Sequence, residues 1–436
     1  MTADPSAARP SIPMLTRAEW GLILVLVAVQ FTHMVDFVIV MPLGDRLIRE
    51  LHITEPQFGW IVSAYAWAAG IASLLASAVM DRFDRRTVLL AMYAGFALST
   101  LFCGLATTYP MMLLGRTLAG VFGGLAAVTL MAIIGDVFEP AKRGRAIGAV
   151  TSSFAVASIA GLPIGLLLAD RFGRGAPFVA LAVLSAGVWL TAWKRLPAVR
   201  GHLTEKRPGR WAEFVTVVGE PNHRWAFVFS FFLVLGTFTV ASFIGPYLIS
   251  LNNWTEGDLA WIYLIAGLCT LVGMNVVGRL ADRVARRPLF RVLGFAALVM
   301  AVIVTNLPAS GLAVAAVVMS GFMVAAAGRM VPATAIMLGV ARPENRGGFM
   351  SLNTAVQHLS TGLAPMIAGA LLYRTADGKL AGFPLVGVVA AGAAAISLVL
   401  AGFLRHAPAT TVVVAAPPAE APSVEAMPAE TGGVIP

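Results

Sequence analysis

The chain has 436 residues, of which 58% are hydrophobic and only 12% are charged. A soluble globular protein carries roughly 25% charged residues, so this composition excludes an ordinary soluble domain and indicates an integral membrane protein. The net charge of +9 does not indicate a nucleic-acid-binding protein, because the basic residues lie in short loops between long uncharged runs.

Twelve runs are long and apolar enough to be membrane-spanning helices, which need ~20 residues to cross the hydrocarbon core. The first six predicted spans are 20–42, 57–80, 87–106, 111–135, 146–169 and 176–193. The second six are 225–250, 259–280, 288–306, 311–340, 348–373 and 383–404. The sequence therefore predicts an all-α membrane protein with twelve spans.

Basic residues concentrate on one side of this topology. When alternate loops are assigned to opposite sides, 23 of the 31 Lys and Arg residues fall on the side of the N-terminus and six on the other. The remaining two, Arg116 and Arg329, lie within spans. The positive-inside rule predicts that both termini are cytoplasmic, in the inner membrane of a bacterium.

Two pairs of segments repeat along the chain. Residues 54–86 align without a gap to residues 255–287 at an offset of 201, and residues 139–144 correspond to 342–347 at an offset of 203. Such repeats indicate two similar six-helix bundles with a substrate site between them, as in secondary transporters. The predicted division is a cytoplasmic segment 1–16, a first bundle 17–196, a linker 197–223, a second bundle 224–405 and a disordered tail 406–436.

The loops after the second and eighth spans resemble a signature of the major facilitator superfamily, and within it of the twelve-helix drug:proton antiporters. That signature is Gly-x-x-x-Asp-Arg-x-Gly-Arg-Arg/Lys. Residues 278–287 match it with Ala285 at the second Gly, whereas residues 77–86 carry Ser77 and Asp84 in the two Gly places. The resemblance implies two pseudo-symmetric six-helix bundles that export a small organic molecule in exchange for protons by alternating access.

The same resemblance implies a conformational latch at the cytoplasmic helix ends. Asp81 is expected to hold the outward-facing state through the start of span eleven, with Asp136 taking part. Charged groups at helix ends can form contacts in one conformation and break them in another. The alternative is that the arginines only determine topology. The predicted latch comprises Asp81, Arg82, Arg85, Arg86, Asp136, Arg145, Asp282, Arg283, Arg286 and Arg287.

Asp36 lies within the first span, and an ionised carboxylate at that depth costs roughly 2.5–3.5 kcal/mol unless it has a partner or water. The corresponding stretch of span seven, residues 237–240, carries no acid. Arg116, followed by a Gly-rich helix, resembles the span-four signature whose Arg is implicated in proton coupling. We expect Asp36 and Arg116 to form the proton-coupling centre, with a static ion pair as the alternative. His33 shares the helix face of Asp36 and is a cavity-lining or proton-relay candidate.

Span five contains Gly161, Pro163 and Gly165, which resemble a loosened antiporter signature. Pro removes a backbone hydrogen bond and Gly permits close packing, so a kinked helix is expected there. The resemblance implies that this segment forms a seam between the bundles, and a simple packing kink is the alternative.

Polar residues within spans are candidates for the substrate site. Arg329 has no basic counterpart in span four, which suggests attraction for an anionic group, or else a contact with a helix C-terminus. Asn353 and Gln357 are four residues apart and face one way on a helix. The predicted substrate-binding set is Gln30, Phe238, Asn275, Arg329, Asn353, Gln357 and His358.

Other chemistry is disfavoured by what the sequence lacks. It has no Gly-x-x-x-x-Gly-Lys-Ser/Thr motif for ATP, no cluster with metal-ligand spacing and no nucleophile–base pair, so neither a cofactor nor enzymatic activity is expected. The proton gradient is the expected energy source, and a monomer is expected. The remaining alternatives are a sugar or metabolite exporter, a lipid flippase and a non-transporting receptor with the same fold.

Overall fold

A computed structural model of the chain describes residues 15–79, 82–200, 216–342 and 345–405. The predicted N-terminal segment, tail and most of the linker lie outside these ranges. Twelve long helices dominate the described part. They are α1 (Arg17–Ile39), α2 (Glu55–Val79), α3 (Arg85–Leu105), α4 (Tyr109–Val137), α5 (Pro140–Phe172), α6 (Ala176–Arg195), α7 (Pro221–Ala241), α8 (Glu256–Ala281), α9 (Arg286–Thr305), α10 (Leu312–Val340), α11 (Arg346–Leu371) and α12 (Phe383–Phe403).

The predicted all-α architecture with twelve spans is confirmed. Eleven of the segments in the described part combine the length and the hydropathy of a membrane span. The twelfth, α11, is 26 residues long but carries Asn353, Gln357 and His358. A helix that is polar along one side is expected where it faces other helices or a wet cavity rather than lipid.

Some predicted bounds were wrong because helices break inside apolar runs. The predicted first span reached Pro42, but α1 ends at Ile39 and a short helix, Gly44–Glu50, follows. The predicted seventh span, 225–250, is divided after Ala241 into α7 and a second short helix, Ile244–Asn252. Hydropathy does not register these breaks, because the residues at them are themselves apolar or small.

The repeat reflects the same local structure in both bundles. Thr255 caps α8, accepting from the amide of Asp258 while the Asp258 carboxylate accepts from the amide of Thr255. Thr54 and Gln57 exchange the same pair of bonds at the start of α2. Such reciprocal bonds satisfy the free N–H groups at a helix N-terminus.

Two faces of the molecule are distinguished by their connections. The hairpin face carries both short helices and an antiparallel pair of strands, β1 (Tyr373–Arg374) and β2 (Leu380–Ala381). The linker face is the opposite one, where the described chain is interrupted between residues 200 and 216.

The bundles pack together in the hairpin half. Buried apolar residues of both bundles merge there into one cluster, in which the Phe58 and Phe243 rings lie 5.2 Å apart. In the linker half, each bundle has its own cluster. Glycines allow the close approach: a Cβ on Gly59 of α2 would lie 2.6 Å from the carbonyl oxygen of Pro365 of α11. The conformation is therefore closed at the hairpin face.

Candidate functional site

Asp36 and Arg116 form an ion pair in the core of the first bundle. Nη1 of Arg116 donates to Oδ2 of Asp36 at 2.8 Å and to the Asp36 carbonyl oxygen at 3.1 Å. Thr100 donates to the other carboxylate oxygen at 3.2 Å. Both charged side chains are 0% exposed. The structure thus brings together the two residues that the sequence marks as the proton-coupling centre.

Tyr65 of α2 connects this pair to His33. The Arg116 guanidinium lies 4.3 Å from the centre of the Tyr65 ring, and the Tyr65 hydroxyl is hydrogen-bonded to Nδ1 of His33 at 2.9 Å. Within the described part of the chain, Nε and Nη2 of Arg116 have no hydrogen-bond partner. A polar chain therefore runs from His33 through Tyr65 to the buried pair, and two guanidinium nitrogens remain free for a different arrangement.

Small residues hold α4 close enough for this geometry. A Cβ on Gly120 would lie 2.3 Å from the carbonyl oxygen of Tyr65, and one on Gly123 would lie 2.7 Å from Nδ1 of His33. The Gly-rich stretch after Arg116 therefore lets the backbone of α4 contact α2 and α1 directly, as small residues do between membrane helices.

The predicted substrate residues lie on helices that meet between the bundles. His358 of α11 packs against Gly70 of α2, whose added Cβ would lie 2.8 Å from the His358 Cβ. The Phe238 ring lies 5.9 Å from that of Phe37 in the first bundle. Gln30 is half-buried on α1, one turn before His33. His358 and Phe238 therefore lie at contacts between the two bundles.

The remaining polar candidates differ in their surroundings. Gln357 donates to the Ser230 hydroxyl of α7 at 3.2 Å. Asn353 is buried, and its Oδ1 has no partner among the described residues. Asn275 is exposed and donates to the Leu271 carbonyl of its own helix at 2.8 Å.

Arg329 interrupts α10 and is only 2% exposed. Its Nη2 donates to the Leu233 carbonyl at 2.9 Å and to the Thr237 hydroxyl at 2.7 Å. The contact is with the interior of α7 and not with a helix C-terminus. Nε and Nη1 have no partner in the described ranges. Thr237 occupies the repeat position of Asp36, so the second bundle has a hydroxyl where the first has a carboxylate.

The predicted latch residues lie at the linker face, and Asp81 falls outside the described residues. Arg85 pairs with Asp136 at 3.2 Å, and Arg86 donates to the Trp193 carbonyl at 2.6 Å. In the second bundle, Arg286 donates to the Ala335 carbonyl at 3.2 Å and Arg287 donates to that of Leu404. Each of these contacts joins helices of one bundle. The remaining members, Arg82, Arg145, Asp282 and Arg283, are exposed.

Ion pairs that the sequence did not reveal join the two bundles at the hairpin face. Nε and Nη2 of Arg46 donate to both carboxylate oxygens of Glu256, each at 2.8 Å. Arg374 donates to Asp45 at 2.8 Å and to Glu55 at 2.9 Å. We call Asp45, Arg46, Glu55, Glu256 and Arg374 the hairpin clamp.

The bonds of the hairpin clamp outweigh the cost of burying its charges. Burial alone lowers the pKa of Arg46, but the hydrogen bonds and charge of Glu256 outweigh it, so this pKa lies above its ordinary value. The Glu256 side chain is 3% exposed and that of Asp45 is also 3% exposed. Two acids of the clamp, Glu55 and Glu256, occupy equivalent positions in the two copies of the repeat.

A π-helical turn interrupts α5 where the kink is predicted, and the glycines at and after this turn pack against α1. A π-turn spans Ala157–Gly161. A Cβ on Gly161 would lie 2.3 Å from Val35 of α1, and one on Gly165 would lie 2.6 Å from Ile39. Within the same segment, Ile159 and Ser158 contact the second bundle, where Gly267 of α8 packs against them. The segment therefore touches both bundles, with its glycines against α1 of its own bundle and Ile159 against α8.

Curated proteins similar to this chain include transporters. The chain is 28% identical to the uncharacterized MFS-type transporter YceJ of Bacillus subtilis over 365 residues, 82% of this chain and 91% of that protein. It is 25% identical over 253 residues to a probable sugar efflux transporter of Helicobacter pylori, covering 58% of this chain and 63% of that protein.

Solved structures show the same fold. A bacterial homolog of the human lysosomal transporter Spinster, in an inward-facing and unoccupied conformation, matches with a TM-score of 0.69 and 16% identity over 90% of this chain and 95% of that one. The nucleoside transporter NupG matches with a TM-score of 0.71 and 14% identity over 88% of this chain and 98% of that one. The Major Facilitator Superfamily model matches residues 26–328 and 226–429. With this match and its two six-helix bundles, the chain belongs to the Major Facilitator Superfamily of transporters.

Proposed function

We propose that this transporter exports small organic molecules in exchange for protons, with Asp36 as the proton-carrying group. The observation that carries the proposal is the fully buried Asp36–Arg116 pair in one bundle and the hydroxyl of Thr237 at the equivalent place in the other. Ionisable groups inside a membrane are costly, and they mark ion or proton pathways by default.

The geometry gives Asp36 two alternative states. When it is charged, Oδ2 accepts from Arg116 and the pair is neutral as a whole. When Asp36 takes up a proton, the charge attraction is lost, and the Arg116 cation keeps its bond to the Asp36 carbonyl oxygen and its contact with the Tyr65 ring. Its other two nitrogens have no partner among the described residues. Breaking a buried pair costs about 3–5 kcal/mol, so the protonation state of Asp36 can bias the packing of α1 on α4. His33 is hydrogen-bonded to Tyr65, whose ring contacts Arg116, so these two residues form the approach to the pair.

The substrate is proposed to bind between the bundles, near His358, Phe238, Gln357 and Gln30. Polar groups on α11 face α7 and α2 there, and aromatic rings of both bundles meet at 5.9 Å. The similarity to probable sugar efflux transporters supports export and favours hydroxyl-rich metabolites as a second substrate class beside drug-like molecules. Asn275, Asn353 and Arg329 complete the candidate set.

We propose that alternating access breaks one set of contacts between the bundles and forms another. The hairpin clamp holds the conformation described above, closed at the hairpin face. The linker-face latch, built around Asp81 and the arginines of both loops, would hold the opposite conformation. We place the linker face in the cytoplasm of a bacterium, on the basis of its basic residues, and expect a monomer in the inner membrane.

Transport assays in proteoliposomes test this proposal. A thermal-shift screen of drugs, sugars and metabolites on the purified protein first identifies a ligand. A pH gradient is expected to drive accumulation of that ligand by the wild type, and Asp36→Asn is expected to lose this while retaining exchange of labelled for unlabelled ligand. The control is Asp258→Asn, which changes a capping carboxylate at the start of α8.

Each other outcome identifies an alternative. Gradient-driven accumulation by Asp36→Asn at the wild-type rate would refute the role of Asp36. Exchange without any response to the pH gradient would indicate a uniporter. Movement of labelled lipid alone would indicate a flippase, and binding without exchange would indicate a receptor.

A further inference from the structure

An open groove lies between α3 and α6 on the outer side of the first bundle. Its cavity volume is about 390 Å³. Arg86 and Thr87 line the end at the linker face, where α3 begins, and Leu90, Ala94, Trp189 and Trp193 line the rest. The principal neighbours of α3 and α6 are α4, α1 and each other, all within the first bundle. The groove therefore faces the surrounding membrane and not the partner bundle.

The walls of the groove are held in place by the tryptophans. Trp189 donates its indole N–H to the Leu90 carbonyl at 2.8 Å, which fixes α6 to α3 at this level. The Trp189 and Trp193 rings are parallel, with centroids 6.5 Å apart. Tryptophan near a membrane–water interface is well suited to contact both acyl chains and headgroups.

Arg86 brings a positive charge to the polar end of the groove. Its Nη2 donates to the Trp193 carbonyl, while its Nε is buried and has no partner among the described residues. Lys194 and Arg195 follow Trp193 directly and are exposed. The edge of the groove at the linker face is thus basic.

Asp84, two residues before Arg86, does not neutralise this edge. Burial raises the pKa of Asp84, but bonds from the amides of Val199 and Arg86 and from the Arg200 side chain outweigh it and leave the pKa below its ordinary value. These bonds are 3.0, 2.9 and 3.2 Å long. Asp84 is therefore already engaged by three donors, and the Arg200 side chain balances its charge.

We propose that this groove is a binding site for an anionic phospholipid, with the phosphate at Arg86 and an acyl chain along Leu90, Ala94 and Trp189. The apolar lining suits an acyl chain and excludes a small soluble anion as the main ligand. The basic edge disfavours a lipid whose headgroup ends in an ammonium group. This site is separate from the substrate region, and the proposal does not depend on proton coupling.

Quenching of tryptophan fluorescence by brominated lipids tests the site on the full-length protein. The protein is placed in nanodiscs with brominated phosphatidylglycerol or brominated phosphatidylcholine with the same chains. The groove signal is the difference between the wild type and the Trp189→Phe/Trp193→Phe double variant. We expect half-maximal quenching of this signal at an about fivefold lower fraction of phosphatidylglycerol, as expected for one arginine near an anionic surface.

Two variants separate the headgroup from the chain. Arg86→Gln is expected to abolish the preference for phosphatidylglycerol, whereas Arg224→Gln, which removes an exposed base elsewhere on the linker face, is expected to retain it. Ala94→Phe fills the groove and is expected to weaken quenching by both lipids. Equal quenching by the two lipids in the wild type, or an unchanged preference in Arg86→Gln, would overturn the proposal. Displacement of the lipid by glycerol phosphate would also overturn the proposal, because glycerol phosphate has no acyl chain.

Discussion

Replacing Arg46 by Gln is expected to open the hairpin face. Arg46 gives Glu256 two bonds of 2.8 Å, and the Glu256 side chain is 3% exposed. In Arg46→Gln, the one base of the described residues that still pairs with the buried carboxylate is Arg49, whose nearest nitrogen is 4.0 Å away. In the open conformation the same carboxylate would be hydrated, so the cost of the unpaired charge falls on the closed state alone.

The magnitude follows from this asymmetry. Truncating one partner of a buried, hydrogen-bonded charge pair costs about 2–5 kcal/mol. Arg49 still attracts the Glu256 carboxylate, and the amide of the introduced Gln can donate to it. The expected cost to the closed state therefore lies at the lower end of this range. A change of about 2 kcal/mol multiplies the ratio of open to closed molecules by about 30, since each 1.4 kcal/mol is about tenfold.

Spin labels report this ratio directly. Thr108 of the first bundle and Ala376 of the second are both exposed at the hairpin face, and Cys269→Ser removes the exposed native thiol. Pulsed electron–electron double resonance between labels at these positions should show a larger population of long label–label distances in Arg46→Gln than in the wild type. Arg171→Gln removes an exposed base from the same face and should leave the distribution unchanged. An unaltered distribution in Arg46→Gln would refute the clamp as a determinant of conformation.

The other predictions concern packing, pH and buried charge. Gly120→Ala should cost about 1–3 kcal/mol, because its Cβ would lie 2.3 Å from the Tyr65 carbonyl, whereas Gly135→Ala, with nothing within 4 Å, should retain the wild-type melting temperature. The lowered pKa of Asp84 means that its stabilisation is complete above its ordinary pKa of about 3.9 and is lost as the pH falls through the lowered value. The melting temperature of the wild type should therefore exceed that of Asp84→Asn at pH 6 and approach it as the pH falls below about 4. Arg329→Met should raise stability by about 1–3 kcal/mol, since it removes a buried cation with two unpartnered nitrogens, and should abolish transport. A destabilised Arg329→Met would show that its bonds to α7 outweigh the cost of its charge.

The sequence could predict the Asp36–Arg116 pair because charged residues inside spans are rare. Two such residues of opposite sign in one bundle, at comparable depth, have few partners other than each other. The capped helix starts at Thr54 and Thr255 could also be predicted, since the capping residues and the repeat are both local in sequence. Local patterns therefore defined the elements and the central charge pair.

Contacts between distant segments could not be predicted in this way. Arg374 and Glu55 are 319 residues apart, and Arg46 and Glu256 are 210 apart. Glu256 looked like an ordinary acid at a helix N-terminus, and nothing in the pattern indicated that it meets an arginine of the other bundle. Tyr65 was missed for a related reason: an aromatic residue in an apolar span is usually part of the core, and only its position over Arg116 distinguishes it.

Proton release on substrate binding tests the central role of Asp36 most directly. The purified protein, in a weakly buffered solution with a pH indicator, is mixed with a ligand from the thermal-shift screen near neutral pH. The wild type is expected to release protons on binding, and Asp36→Asn is expected to bind the same ligand without releasing any. Equal proton release from the wild type and Asp36→Asn would rule out Asp36 as the proton-carrying group, because another group would then carry the proton.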